Sequence, residues 1–202
     1  MRWEEALSAG ADFVFSPQDL DVAQEDAFGR RGPTGGHKYV KAWDIGRHKD
    51  AAVGIVLDVT GEVHDVVWYE RLVRASYPRI QALIEAVHSR YPGLTVIEDN
   101  AAGEAVRENL SLRPSQVKGF LTTEKTKATI LTQLQLAFQQ QTLRYDGKAF
   151  PQLDAELRSY QWDDAALTQD SVMALAIAEH YALEAQRAPS GKGRVHPLIH
   201  FR

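Results

Sequence analysis

The 202-residue chain carries 23 Lys and Arg against 27 Asp and Glu, a formal charge of -4, and is 44% hydrophobic; this suits one compact domain with peripheral segments rather than two full domains or a disordered chain. It has no apolar run of the roughly eighteen residues a membrane helix needs, and Met1-Arg2-Trp3-Glu4-Glu5 places acids where a secretory leader is basic and then apolar, so neither a membrane span nor secretion is expected. The absence of cysteine excludes disulfides, thiolate metal sites and a cysteine nucleophile, leaving His, Asp and Glu as side-chain ligands for a hard cation, while the acid excess argues against holding nucleic acid by bulk charge and leaves room only for local basic patches.

Residues 1–37 read as an approach segment and linker. Ser16-Pro17-Gln18-Asp19-Leu20 predicts a short helix with Pro at its first position. The turn-rich stretch from Gly29 to Gly36 marks the domain boundary. Its glycines and Lys38 do not form a phosphate loop, because the spacing misses G-x-x-x-x-G-K-[ST] and a strand follows. From Tyr39 three strands are expected, at 39–45, 51–59 and 63–69, the last two joined as an antiparallel hairpin through Thr60-Gly61. Ile80, Leu83, Ile84 and Val87 fall at i, i+3, i+4 and i+7 and predict a helix stopped by Tyr91-Pro92-Gly93. Leu94-Thr95-Val96-Ile97 reads as a buried strand, followed by a helix through Ala105, Val106 and Leu110, a strand near 116–121, and a longer helix with Ile130, Leu134 and Phe138 on one stripe. A small extended piece at 142–145 and a short helix at 150–160 lead to 168–186, apolar on almost every side and so expected to lie buried against the sheet. Residues 38–187 thus form an α/β domain, and residues 188–202 a basic tail expected to be flexible.

Three acids sit at the rims of core elements. Asp44 ends the first strand just before Gly46, Glu98 and Asp99 end the strand from Leu94, and Asp170 opens the most apolar helix, with Ala174, Ile177 and Tyr181 below it at i+4, i+7 and i+11. Ligands in open α/β sheets gather at the carboxyl ends of strands, so these acids converge if their strands are parallel neighbours. Such a cluster needs cations, and with no cysteine the fitting ones are Mg²⁺ or Mn²⁺. Several carboxylates around two such ions suit phosphoryl transfer. Each acid also has an ordinary alternative: a turn residue at Asp44, an N-cap within Glu98-Asp99-Asn100, and a first-turn acid at Asp170 behind Thr168.

Asp44-Ile45-Gly46 with Asp50, the run Val96 to Gly103, Thr122-Thr123-Glu124-Lys125-Thr126-Lys127 before a long helix, and Asp170 to Ala176 together resemble the nuclease domain of viral (bacteriophage) large terminase subunits, in the ribonuclease H-like superfamily, from about Tyr39 to Glu184. The resemblance implies a ribonuclease H-like mixed central sheet, an antiparallel three-strand meander plus parallel strands, flanked by helices. It implies an Mg²⁺- or Mn²⁺-dependent endonuclease cutting double-stranded viral DNA during genome packaging, with Asp44, Glu98 and Asp170 holding two ions once substrate is bound. The family's E-x-N-x-x-G phrasing favours Glu98, leaving Asp99 as an outer-shell alternative; side-chain parity alone does not choose, since a central strand is buried on both faces. Thr168-Gln169 stand where many relatives have His-Asp.

Full-length terminases also have an ATPase motor. The segment from Arg2 to Arg31 resembles the end of that motor and its linker, so the resemblance implies an excised C-terminal nuclease domain, with a naturally separate short protein as the alternative. The implied partners are duplex DNA, the motor domain, the small terminase subunit and the portal, at the packaging machine in the host cytoplasm. Basic residues expected to meet the sugar-phosphate backbone are Arg47, His48 and Lys49 after the first strand, Lys118, Lys125 and Lys127, and Arg187, Lys192, Arg194 and Arg202. Two other readings keep the fold: a junction resolvase or transposase core, and a non-catalytic docking module of a packaging complex.

Overall fold

The computed structural model describes residues 13–25, 27, 29, 31–46, 51–163 and 169–187. Six strands, β1 (Tyr39–Ile45), β2 (Ala51–Asp58), β3 (His64–Val73), β4 (Gly93–Glu98), β5 (Val117–Phe120) and β6 (Leu143–Arg144), form one sheet in the order β5-β4-β1-β2-β3-β6. The pairs β1/β2 and β2/β3 are antiparallel, whereas β1/β4, β4/β5 and β3/β6 are parallel. This is the mixed sheet that the resemblance implies, an antiparallel three-strand meander plus parallel strands.

Helices α1 (Pro17–Glu25), α2 (Tyr77–Arg90), α3 (Ala101–Glu108), α4 (Glu124–Gln139), α5 (Pro151–Ser159) and α6 (Asp170–Arg187) cover the sheet. Every residue of β1 and β2 is buried, as a strand covered on both faces requires. One face carries Val40, Ala42, Val53, Ile55 and Val96 against α4 and α6. The other carries Tyr39, Trp43, Ile45 and Ile97 against α2 and α3. The apolar run 172–178 of α6 is wholly buried, which explains why that stretch of the helix has no polar side.

Two features differ from the sequence pattern in extent. β3 continues to Val73 instead of ending near Tyr69, because Glu70 and Arg71 still pair with Gly54 and Val53 although their side chains are polar. The segment ahead of the turn-rich stretch also belongs to the core: Val14, Phe15, Leu20 and Ala23 are buried with α4 and α5 residues. Val14 is tied there through its N–H to the Tyr160 carbonyl at 3.1 Å and through its carbonyl to Gln135 Nε2 at 2.7 Å.

The register of β1 on β4 runs from Tyr39 opposite Gly93 to Trp43 opposite Ile97. Gly93 has φ of +142°, and a Cβ there would stand 2.1 Å from the Tyr39 carbonyl oxygen. No other residue fits that contact or that backbone conformation.

Candidate active site

Strand alternation and register set the site. Val40, Ala42 and Asp44 share the α6 face of β1, as Leu94, Val96 and Glu98 do on β4, and one step beyond the Trp43/Ile97 pair brings Glu98 beside Asp44. Asp44 is opposite Val53, and Val53 opposite Arg71, so Glu98, Asp44 and Arg71 lie on one row across the rim of the sheet.

Asp44 is 8% exposed. Its carboxyl is held well above the usual carboxylate range, first by burial, then by the charge of Glu98 and the hydrogen bond the two acids share, and further by Asp170 and Glu156. A cation brought between the two carboxyls would relieve the repulsion that raises Asp44.

Asn100 organises the end of β4. Its Nδ2 donates to Glu98 Oε2 at 3.1 Å, while its Oδ1 accepts from the Ala102 and Gly103 N–H groups at 3.1 and 2.8 Å and caps α3. A Cβ on Gly103 would stand 1.9 Å from the Glu98 carbonyl oxygen, so glycine lets the helix close on the strand carrying the acid. The E-x-N-x-x-G spacing therefore has a mechanical reason. Asp99 faces away: Arg107 Nε donates to its Oδ1 at 2.9 Å, and its other oxygen crowds Gly119. Gly103→Ala is expected to cost about 2–4 kcal/mol, since backbone must shift to relieve the overlap, and to lower any activity that depends on Glu98. Denaturant melts of the two proteins check this.

Asp170 at the start of α6 accepts from Arg71 Nη2 at 2.9 Å, and Arg71 Nη1 donates to Glu156 Oε1 at 3.1 Å. Glu156, 3% exposed, also accepts from the Ser171 N–H at 2.8 Å, and the Ser171 and Tyr69 hydroxyls are 3.0 Å apart. Sequence reasoning missed both Arg71 and Glu156. For Glu156 a signal existed: Leu153, Glu156 and Leu157 fall at i, i+3 and i+4, a glutamate on the buried stripe of α5.

Among the described residues, no three His, Asp or Glu side chains already surround a point where an ion could sit. The donor set is nonetheless all oxygen and short of positive charge at Asp44 and Glu98, which suits a hard divalent cation.

Residues 41–182 match the family of the terminase RNaseH-like domain. The chain belongs to that family. The terminase domain is similar in fold to the large terminase nuclease of thermophilic phage G20c, solved with bound magnesium, at 21% identity and a TM-score of 0.70 over 84% of this chain and 97% of that one. The Thermus phage P74-26 large terminase nuclease domain gives 21% identity and 0.66 over 83% and 94%. The HK97 bacteriophage large terminase gives 13% and 0.64 over 85% of this chain but 44% of that protein. A search of curated proteins gives no match.

The basic residues expected to flank the site of this terminase domain are distributed unevenly. Arg47, His48 and Lys49 lie outside the described residues, as do Thr168 and the residues after Arg187. Lys127 Nζ donates to Gln169 Oε1 at 2.9 Å, which brings the first turns of α4 toward Asp170. Lys125 is exposed in the same turn. Lys118 instead lies over the Tyr181 ring, 5.1 Å from its centroid.

Proposed function

We propose that this terminase domain is a divalent-metal-dependent endonuclease that cuts double-stranded DNA during phage genome packaging. Asp44, Glu98 and Asp170 hold the ions, and Asp99 stays with Arg107 outside the ligand set. The observation that carries the reading is the strand register that sets Glu98 beside Asp44 at the rim of the sheet, on the row that leads to Arg71 and through it to Asp170. The family supports it, and so do the magnesium, zinc and cobalt bound to the G20c nuclease.

Bound there, Mg²⁺ or Mn²⁺ would lower the pKa of a coordinated water and neutralise charge on the leaving oxygen of the phosphodiester. The chain's own residues do the rest. Asn100 fixes the Glu98 carboxylate, α6 presents Asp170 from its first turn, and Lys125 and Lys127 take phosphates of the DNA backbone without reading bases. Arg47, His48 and Lys49 are further backbone contacts in this reading. The motor domain, small subunit and portal are its partners at the packaging machine in the host cytoplasm.

Plasmid DNA incubated with the purified chain should be nicked and then degraded in Mg²⁺ or Mn²⁺ and stay intact in excess chelator. Cleavage that persists in chelator overturns the metal-dependent reading. Duplex binding without cleavage under either metal would favour a docking module instead.

A further inference from the structure

Among the described residues, Arg71 is the cation that bridges two acids of the candidate site, donating to Asp170 at 2.9 Å and to Glu156 at 3.1 Å. Its place is set by register, since Asp44, Val53 and Arg71 lie opposite one another on adjacent strands, two strand spacings or about 10 Å apart along the rim. Its side chain is 21% exposed while that of Glu156 is 3% exposed, so the pair is far from a freely solvated ion pair on the surface and keeps more of its strength.

The charges of the described side chains at the rim bear on how many divalent ions the site accepts. Among the described residues that act on Asp44 or Asp170, Asp44, Glu98, Asp170 and Glu156 supply four negative charges when ionised, and Arg71 one fixed positive charge that is never lost. One divalent ion leaves the rim with a single negative charge. A second would leave it with a net positive charge in a partly buried place, an unfavourable state until an anion arrives. A phosphodiester brings that anion, and Mg²⁺ usually binds through few carboxylates together with substrate phosphate.

We infer that Arg71 is a positioning residue that makes uptake of the second ion depend on the DNA phosphate: its guanidinium occupies the Asp170 side of the site until substrate supplies the compensating charge. The inference rests on the proposed assignment of Asp44, Glu98 and Asp170 as the ion ligands. It also gives Glu156 a task, which is to keep Arg71 anchored when Asp170 turns to an ion.

Mn²⁺ titration followed by electron paramagnetic resonance counts bound ions without any cleavage. Wild type should bind one Mn²⁺ without DNA, and two when a duplex with non-hydrolysable phosphorothioate linkages is added. Arg71→Gln should bind two without DNA, the second about tenfold or more tighter than in wild type. Arg71→Lys, which keeps the charge, should stay at one. The double variant Arg71→Gln with Glu156→Gln removes one charge of each sign and should also return to one, whereas a guanidinium that merely blocks space would leave it at two.

Two ions on wild type without DNA overturn the inference, and that measurement needs no variant to fold. A count of one on Arg71→Gln overturns it as well. Asp44→Asn separates the two levels: if it binds Mn²⁺ as wild type does, the ligand assignment itself fails and the inference with it; if it loses the ion while Arg71→Gln still binds one, only the inference fails.

Discussion

Asp44→Asn and Asp170→Asn are each expected to lower metal-dependent DNA cleavage by about a thousandfold or more, because an amide keeps the shape of the carboxylate and removes the charge that holds a cation worth several kcal/mol to the transition state. The fold should survive in both. Asp44→Asn should in fact melt higher than wild type in chelator at neutral pH. The folded-state pKa of Asp44 is raised by burial and by Glu98, so in the native state this group holds a proton that the unfolded chain releases. The stability linked to it is complete below the unfolded carboxylate range, near pH 4, and is lost as pH rises toward the raised value. An asparagine removes that loss. Saturating Mn²⁺ should stabilise wild type and shrink or reverse the difference. Thermal melts across pH with chelator or Mn²⁺, run beside a nicking assay, test both halves. For the neighbouring pair, Glu98→Gln should damage cleavage far more than Asp99→Asn; the opposite order would move the ligand by one residue.

The second large effect lies on the opposite face of β1. Lys41 is fully buried, and its Nζ donates to the Tyr91 carbonyl at 2.6 Å, at the C-terminal end of α2. Burial lowers its pKa to about 7. Unfolded, a lysine stays protonated until about pH 10.4, so between pH 7 and that value the unfolded chain holds the extra proton and folding becomes more favourable as pH rises. Below pH 7 the native state must carry a buried ammonium. Lys41→Met should therefore stabilise the domain by about 3 kcal/mol at pH 6–7, after allowing about 1 kcal/mol for the lost hydrogen bond, and raise Tm by roughly 6–12 °C. The gain should fade toward pH 10. A gain that is flat with pH would show that Lys41 is stabilised as an ammonium by groups other than the Tyr91 carbonyl.

The elements of this domain were legible because each carries its own period. The three Val-rich strands, the Ile80 to Val87 stripe and the apolar run of α6 leave one way to be buried, and the acids at their ends stand out against such neighbours. The rest of the site depends on polar residues whose company is not local. Arg71 lies beyond the hydrophobic run of β3, where nothing in the sequence says that pairing with β2 continues. Glu156 is 112 positions from Asp44, and its role depends on α5 packing beside α6. The choice between Glu98 and Asp99 was open to alternation alone, because β4 is covered on both faces; the packing of Val96 against α6 and Ile97 against α2 and α3 separates the two side chains.

Gly93 and Glu98 bracket β4, and the close contact of Gly93 with the Tyr39 carbonyl fixes the strand at its far end from the acids. Five residues of pleated chain, about 17 Å, separate that contact from the carboxylate it aligns. A slip of one residue there would bring Ile97 or Asp99 level with Asp44 and turn the whole side-chain sequence of the strand over. The spacing of the acids is thus measured out by a rigid rule of backbone whose zero mark is a glycine, and a residue with no side chain to take part in any reaction determines which side chain can.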